Sequence, residues 1–233
     1  MNKLVPVVVP AAGSGQRMRQ TLPKQYAPLC GRTVIDWTLD ALLQHPRTGP
    51  IVVALATTDM WFGHLPVSDH SDISTVAGGA TRAESVLRGL EALQQTGWGA
   101  QDWVAVHDAA RPCLRQSDLD ALLAGCAGDG VVLGWPVADS LKRVGRDGRP
   151  RALDRAGVWV AATPQVFRLG KLVSALQSAN SAYAVVTDEA SAMEWLDNQA
   201  DIRLIEGCAD NIKITRPQDL PLAEAVLGLE RGR

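Results

Sequence analysis

The chain has 233 residues, 46% hydrophobic and 21% charged, which is enough to bury a sizeable core and too apolar for a disordered or low-complexity chain. Lys plus Arg number 23 and Asp plus Glu 25, a formal charge of -2, so a surface built to hold nucleic acid is disfavoured. A small anionic ligand needs only a few local cations, and the balance does not oppose one.

Leu4 to Val9 is a β-branched run that reads as a strand buried on both faces, with Pro6 removing one ladder donor. It ends at Pro10 and opens into Ala11-Ala12-Gly13-Ser14-Gly15, a glycine loop. Thr33 to Gln44 reads as a helix, with Val34, Leu39, Leu42 and Leu43 on its apolar face, and Ile51 to Ala56 as a second buried strand. Ile73 to Val76 is a third strand, ending at Gly78-Gly79. Arg82 to Thr96 is the clearest amphipathic helix, because Val86, Leu87, Leu90 and Leu93 share one side. Trp103 to Val106 is a fourth strand, a helix capped by Ser117 runs through Leu123, and Val131 to Val137 is a fifth strand. Strand and helix alternate, which predicts βαβ units and a mostly parallel sheet.

The rhythm breaks at Asp139. Ser140 to Val144 and Arg151 to Arg155 read as a β-hairpin about an Asp147-Gly148 turn. Its Lys142, Arg143, Arg146, Arg149, Arg151 and Arg155 leave little to bury, so it either projects into solvent or packs on another subunit. Val158 to Ala162, the helices Leu169 to Ala179 and Asp188 to Asn198, the strand Ile202 to Glu206 and Ile212 to Thr215 follow. Pro221 to Leu229 is a last helix. With no repeat or linker, the reading is one domain over residues 1–233 with an arm at 139–156.

Cys30, Cys113, Cys126 and Cys208 form no CxxC pair, and His45, His64, His70 and His107 form no metal-binding cluster, so reduced thiols and no structural metal are expected. No signal-peptide pattern opens the sequence and no apolar run approaches the roughly 20 residues that span a bilayer. These features read as cytoplasmic, with no membrane association.

The glycine loop suits a phosphate, since strand, glycines and helix start aim backbone N–H groups at one point. It is neither a dinucleotide fingerprint, because Met18 stands where a third glycine is required, nor a Walker A loop. Arg17 and Lys24 nearby are either solvated surface charges or the cations a triphosphate needs.

Together these residues form Pro-Ala-Ala-Gly-x-Gly-x-Arg-Met followed by Pro23-Lys24-Gln25. Gly78-Gly79-x-x-Arg82-x-x-Ser85-Val86 and His107-Asp108-Ala109-Ala110-Arg111-Pro112 follow. Ala162-Thr163-Pro164-Gln165, Thr187-Asp188-Glu189-Ala190 and Ala209-Asp210-Asn211-Ile212-Lys213 complete the series. In this order the chain resembles the 2-C-methyl-D-erythritol 4-phosphate cytidylyltransferases. The resemblance implies an α/β, Rossmann-like doubly wound sheet with the inserted hairpin arm, and cytidylyl transfer from CTP to methylerythritol 4-phosphate. Arg17 and Lys24 would stabilise the reacting α-phosphate, with Mg²⁺ or another divalent cation neutralising the triphosphate.

Pro10, Ala11, Ala12, Gly13, Gly15, Gly79 and Ser85 would border the nucleotide, and Arg82 is either a further nucleotide contact or a helix-start cation. Asp108 would meet the ribose hydroxyls or the metal. Ser140, Arg155, Thr163, Thr187 and Lys213 would hold the methylerythritol phosphate, with the arm embracing a second subunit in a homodimer. Two positions depart from the family pattern: Ser140 stands where Thr is frequent in the arm, and Ala80 where some relatives carry an acid. The rival readings are a cytidylyltransferase for another polyol phosphate, such as ribitol 5-phosphate, and a non-catalytic nucleotide sensor on the same fold.

Overall fold

Val5, Val7 and Val9 of the first strand, β1 (Val5–Pro10), join the core on one side of the sheet, while Val8 joins the core on the other. Strand periodicity of two therefore buries both faces, as the continuous apolar run requires. In the computed structural model, which describes residues 3–13 and 22–231, that strand is central to a seven-stranded sheet. Pro6 falls where the register between β1 and β4 (Thr48–Leu55) shifts.

A two-residue hairpin, β2 (Pro28–Leu29) and β3 (Arg32–Thr33), turns at Cys30 and Gly31, both at positive φ. Helix α1 (Val34–Leu43) starts on a capping box, the Thr33 hydroxyl accepting from the Asp36 N–H and the Asp36 carboxylate accepting from Thr33 N–H. The further elements are β5 (Ile73–Ala77), α2 (Arg82–Gln95), β6 (Trp103–Val106), α3 (Gln116–Ala124), β7 (Gly130–Pro136), β8 (Leu141–Val144) and β9 (Pro150–Leu153). Then come β10 (Trp159–Arg168), α4 (Leu169–Ser181), α5 (Glu189–Leu196), β11 (Ile202–Glu206) and α6 (Asp219–Arg231).

The strand order is β11-β7-β10-β6-β1-β4-β5, and every strand is parallel to its neighbours except β10, which runs antiparallel to both β6 and β7. Ile35, Leu39 and Leu42 of α1 and Leu119 and Leu122 of α3 cover one face. Val86, Leu90 and Leu93 of α2 and Leu169, Leu172 and Leu176 of α4 cover the other. Each such leucine, withdrawn from water, contributes roughly 2 kcal/mol. Helix α2 lies so close to β1 that a Cβ on Gly89 would sit 2.5 Å from Val8 Cγ1. Helices on both faces of a mostly parallel sheet make this the doubly wound α/β class.

Three sequence expectations change. Helix α3 begins at Gln116 with Arg115 as its N-cap and no side-chain cap bond, so Ser117 lies inside the first turn. The strand expected to stop at Ala162 continues through Thr163-Pro164-Gln165 to Arg168, with an irregular register against β7 between Ala161 and Gln165 and a cis Thr163–Pro164 peptide. Ile212 to Thr215 belongs to no strand or helix; it is tied by the Ile214 N–H to the Ala110 carbonyl at 2.8 Å.

The chain leaves β1 toward β4 and β5, then crosses back to place β6 on the other side of β1. That reversal opens a crevice at the carboxyl ends of β1 and β6, where doubly wound sheets take their ligands. The hairpin β8–β9 pairs only within itself among the described residues and is exposed along nearly all its length.

Candidate active site

Two adjoining pockets fill that crevice. The first, about 630 Å³, is floored by the end of β1 and the loop after it, from Pro10 to Gly13. Gly79, Ala80 and Thr81, before α2, form one wall, and Lys24 and Gln25 form another. Arg82, Ser85, Asp108, Ala109, Ala110 and Lys213 complete it. The second pocket, about 570 Å³, shares Arg82, Asp108 and Lys213 with the first and adds Arg111, Thr163, Gln165 and Thr187. One cluster of charges is therefore the wall between two cavities.

Each wall is set by local sequence. Thr81 caps α2 through its hydroxyl, which accepts from the Glu84 N–H at 3.1 Å, and Glu84 Oε2 accepts from the Ala80 N–H at 2.6 Å. Ser85 Oγ accepts from the Gly79 N–H at 3.0 Å and donates to the Thr81 carbonyl at 2.9 Å. The Gly79–Ala80 amides are thus spent inside the loop, and carbonyls are what the loop can offer a ligand. Gly79 is required there, since a Cβ would fall 2.2 Å from Glu84 Cβ. The buried Gln25 amide donates to the Ala11 carbonyl at 2.7 Å, fastening the Lys24 turn to the end of β1.

Asp108 is the hub. It follows β6, is 6% exposed, and accepts from Arg82 Nε at 2.9 Å through Oδ1 and from Lys213 Nζ at 2.6 Å through Oδ2. Arg111 Nε lies 3.7 Å from the same Oδ2. Burial alone would raise the Asp108 carboxyl, but Arg82, Lys213 and Arg111 outweigh it and hold the group far below the usual carboxylate range. Burial opposes the charge on Arg82 as well, yet Glu189 and Asp108 raise its pKa beyond the ordinary arginine value.

Lys213 is delivered by an irregular segment that Asn211 anchors. Asn211 is fully buried; its Nδ2 donates to the Thr163 carbonyl at 2.9 Å, and its own carbonyl accepts from Arg111 at 2.6 Å. Behind the hub, Thr163 Oγ1 accepts from the Asp108 N–H at 3.0 Å, which leaves its hydroxyl hydrogen for His107 Nδ1 at 3.1 Å. His107 Nε2–H then donates to the Arg111 carbonyl at 3.2 Å, which fixes the tautomer. Burial pushes the His107 imidazole down to about 4. It is a neutral strut with both nitrogens engaged, so it is not placed to act as a base.

Of the residues singled out in the sequence, Pro10, Ala11, Ala12, Gly13, Lys24, Gly79, Arg82, Ser85, Asp108 and Lys213 line the first pocket. Thr163 and Thr187 line the second. Gly15 and Arg17 lie outside the described residues. Ser140 and Arg155 sit at the two ends of the exposed hairpin and line neither pocket. Sequence reasoning gave no role to Arg111, Asn211 or Glu189. All three lie within the quoted motifs, but their burial comes from tertiary packing, which no local signal carries.

For a divalent cation, the donor set fits one that arrives with a nucleotide. Among the described residues no group of three or more His, Cys, Asp or Glu could hold a metal alone. Asp108 offers one carboxylate on both pockets, and Mg²⁺ is commonly held by one or two carboxylates together with substrate phosphates.

Comparison with known proteins places the chain in a family. The family model described as IspD, 2-C-methyl-D-erythritol 4-phosphate cytidylyltransferase, covers residues 5–229. The 2-C-methyl-D-erythritol 4-phosphate cytidylyltransferase of Ectopseudomonas mendocina is 51% identical over 217 residues, 92% of each chain. That of Vibrio vulnificus (strain CMCP6) is 43% identical over 238 residues, covering 100% of this chain and 98% of the relative. Among solved structures, a 4-diphosphocytidyl-2C-methyl-D-erythritol synthase aligns with a TM-score of 0.83 at 35% identity, over 97% of this chain and 100% of its own. The Francisella tularensis cytidylyltransferase aligns at 0.80 and 32%, over 96% and 100%.

Proposed function

Because the chain belongs to the 2-C-methyl-D-erythritol 4-phosphate cytidylyltransferase family, its reaction is cytidylyl transfer, and we propose that the two joined pockets are where it runs. The enzyme moves the cytidylyl group of CTP onto methylerythritol 4-phosphate, giving 4-diphosphocytidyl-2-C-methyl-D-erythritol and pyrophosphate, a step of isoprenoid biosynthesis. A phosphate oxygen of the acceptor bonds the α-phosphorus while the bond from that phosphorus to the bridging oxygen of pyrophosphate breaks. The acceptor phosphate has a second pKa of about 6 and is mostly dianionic near neutrality, so no general base is required. The neutral, fully engaged His107 accords with that.

The single observation that carries the assignment is the shared wall. A reaction between two phosphate-bearing ligands needs neighbouring pockets whose common boundary is cationic, and Arg82, Asp108 and Lys213 form that boundary. The base and ribose occupy the first pocket against Ala11, Ala12, Gly13, Gly79 and Ser85, where carbonyls suit the cytosine amino group. Asp108 faces the ribose, and Lys24 and Arg17 meet the α-phosphate. Methylerythritol 4-phosphate occupies the second pocket against Thr163, Thr187 and Lys213. Preorganised cations at the α-phosphate stabilise charge as it becomes crowded with oxygen. A divalent cation such as Mg²⁺ would be held mainly by the CTP phosphates, with Asp108 the carboxylate in reach, and would neutralise triphosphate charge.

Ser140 and Arg155 would serve the partner's second pocket rather than their own. A hairpin that, among the described residues, pairs only with itself and leaves Val144 64% exposed supports an arm over residues 139–156 that clasps a second copy in a homodimer. Among the described residues no helix is long and apolar enough to cross a membrane, and with two water-soluble substrates this supports a cytoplasmic enzyme.

Pyrophosphate release from CTP and Mg²⁺ tests the assignment, with methylerythritol 4-phosphate and ribitol 5-phosphate run in parallel. Release with the first alone is expected. Stronger release with ribitol 5-phosphate would reassign the acceptor, and silence with both despite CTP binding would make the protein a nucleotide sensor.

A further inference from the structure

Glu189 is the first residue of α5 and is fully buried, yet nothing in the reaction above uses it. Its Oε1 lies 2.6 Å from Arg82 Nη1 and its Oε2 3.0 Å from Nη2, a two-pronged pair between the first residues of α5 and α2. A buried charge pair is costly to desolvate, and well-packed apolar residues could join two helices equally well. What the fork adds is direction. With both terminal nitrogens taken, Arg82 presents Nε to Asp108 Oδ1, and Asp108 presents its other oxygen to Lys213.

An arginine without such a partner beside a triphosphate would bind phosphate oxygens through the same planar fork. The charges agree: Arg82, Arg111 and Lys213 face Asp108 and Glu189, leaving one net positive charge at the wall between the pockets. Removing the Glu189 charge would leave two. We propose that Glu189 is a positioning residue for cytidylyl transfer. It holds the Arg82 guanidinium against Asp108 and off the substrate phosphates, and thereby fixes Lys213 at the junction of the two pockets. This inference rests on the two-pocket reading above.

The test is steady-state kinetics with CTP, methylerythritol 4-phosphate and Mg²⁺, with CTP affinity measured separately by calorimetry. Glu189→Gln keeps the shape and removes the charge. Its kcat should fall on the order of 100-fold, as for an ångström-scale misplacement of a reacting group, while CTP binds as tightly as before or more so. Glu189→Asp should recover part of the lost kcat. Arg82→Lys, which keeps the charge and loses the fork, should behave like Glu189→Gln, and the double variant should fall no further than the worse single one.

Wild-type kcat in Glu189→Gln, equal losses of kcat and CTP affinity, or additive losses in the double variant would overturn the proposal. Should Glu189→Gln not fold, Glu189→Asp and Arg82→Lys decide: loss confined to kcat supports the role, and parallel loss of CTP affinity overturns it. Silent wild-type enzyme would overturn the functional reading, and this inference with it.

Discussion

Lys213, delivered by a segment far along the chain, meets Asp108 with its Nζ 2.6 Å from Oδ2, and the pair stands on the boundary of both pockets. A half-buried ammonium facing a buried carboxylate on one side and an open pocket on the other can bind a phosphate without leaving its partner. Lys213→Ala should therefore raise KM for methylerythritol 4-phosphate at least about tenfold, the worth of one charged hydrogen bond. KM for CTP should move far less. Equal increases for both substrates would place Lys213 on the triphosphate instead.

Lys24 lines the first pocket with its Nζ 3.1 Å from the Ile214 carbonyl, so its ammonium is aimed before any ligand arrives. Lys24→Ala should lower kcat on the order of 100-fold or more while CTP affinity changes by a much smaller factor, as expected for a donor that works mainly in the transition state. Rapid-quench turnover set against a direct CTP binding curve separates the two quantities. Losses by the same factor would make Lys24 a ground-state ligand.

The arm yields a mixing experiment. Arg155→Ala and Lys24→Ala subunits should each be nearly inactive alone, one lacking the donated arm cation and the other its own pocket cation. In mixed dimers one of the two sites is intact, so randomly reassorted subunits should regain about a quarter of wild-type activity. No recovery after verified subunit exchange would mean that each chain uses its own arm.

His107 makes fold stability depend on pH in a window separate from the carboxylates. Its imidazole titrates near 6.5 when unfolded and near 4 when buried, so between those values the unfolded chain carries the extra proton. Stability should therefore fall as pH drops, by about 2 kcal/mol between pH 7 and pH 5. Asp108 acts lower: its depressed pKa supplies stability above the ordinary carboxylate range that is lost only under stronger acid. Urea unfolding at pH 5, 6 and 7 measures this, and His107→Asn should flatten the slope; an unchanged slope in that variant would assign the effect elsewhere.

Strand β1, the helices α1 and α2 and the ends of β6 were legible in the sequence because apolar periodicity and glycine placement are local signals. The sequence carries no strand signal past Ala162, since proline removes a ladder donor and Thr163 and Gln165 are polar. In the fold those polar groups are satisfied sideways, Gln165 donating to Asp188 at 2.9 Å and accepting from the Ala190 N–H at 2.9 Å. The same limit hid Glu189. A carboxylate in the first turn of a helix ordinarily faces solvent and the helix dipole, and only the approach of α2 turns this one into a buried partner of Arg82.

Strand β10 also bears on how the protein is made. It is the strand that zips β6 to β7, yet it emerges from the ribosome after both. Until residue 168 has been synthesised, the nascent sheet carries raw backbone edges at β6 and on both sides of β7, each able to pair with a neighbouring chain. Truncations or stalls inside residues 159–168 should thus favour aggregation over release, whereas a stall after α4 has docked leaves β6 joined to β7 and only the outer edge of β7 still waiting for β11.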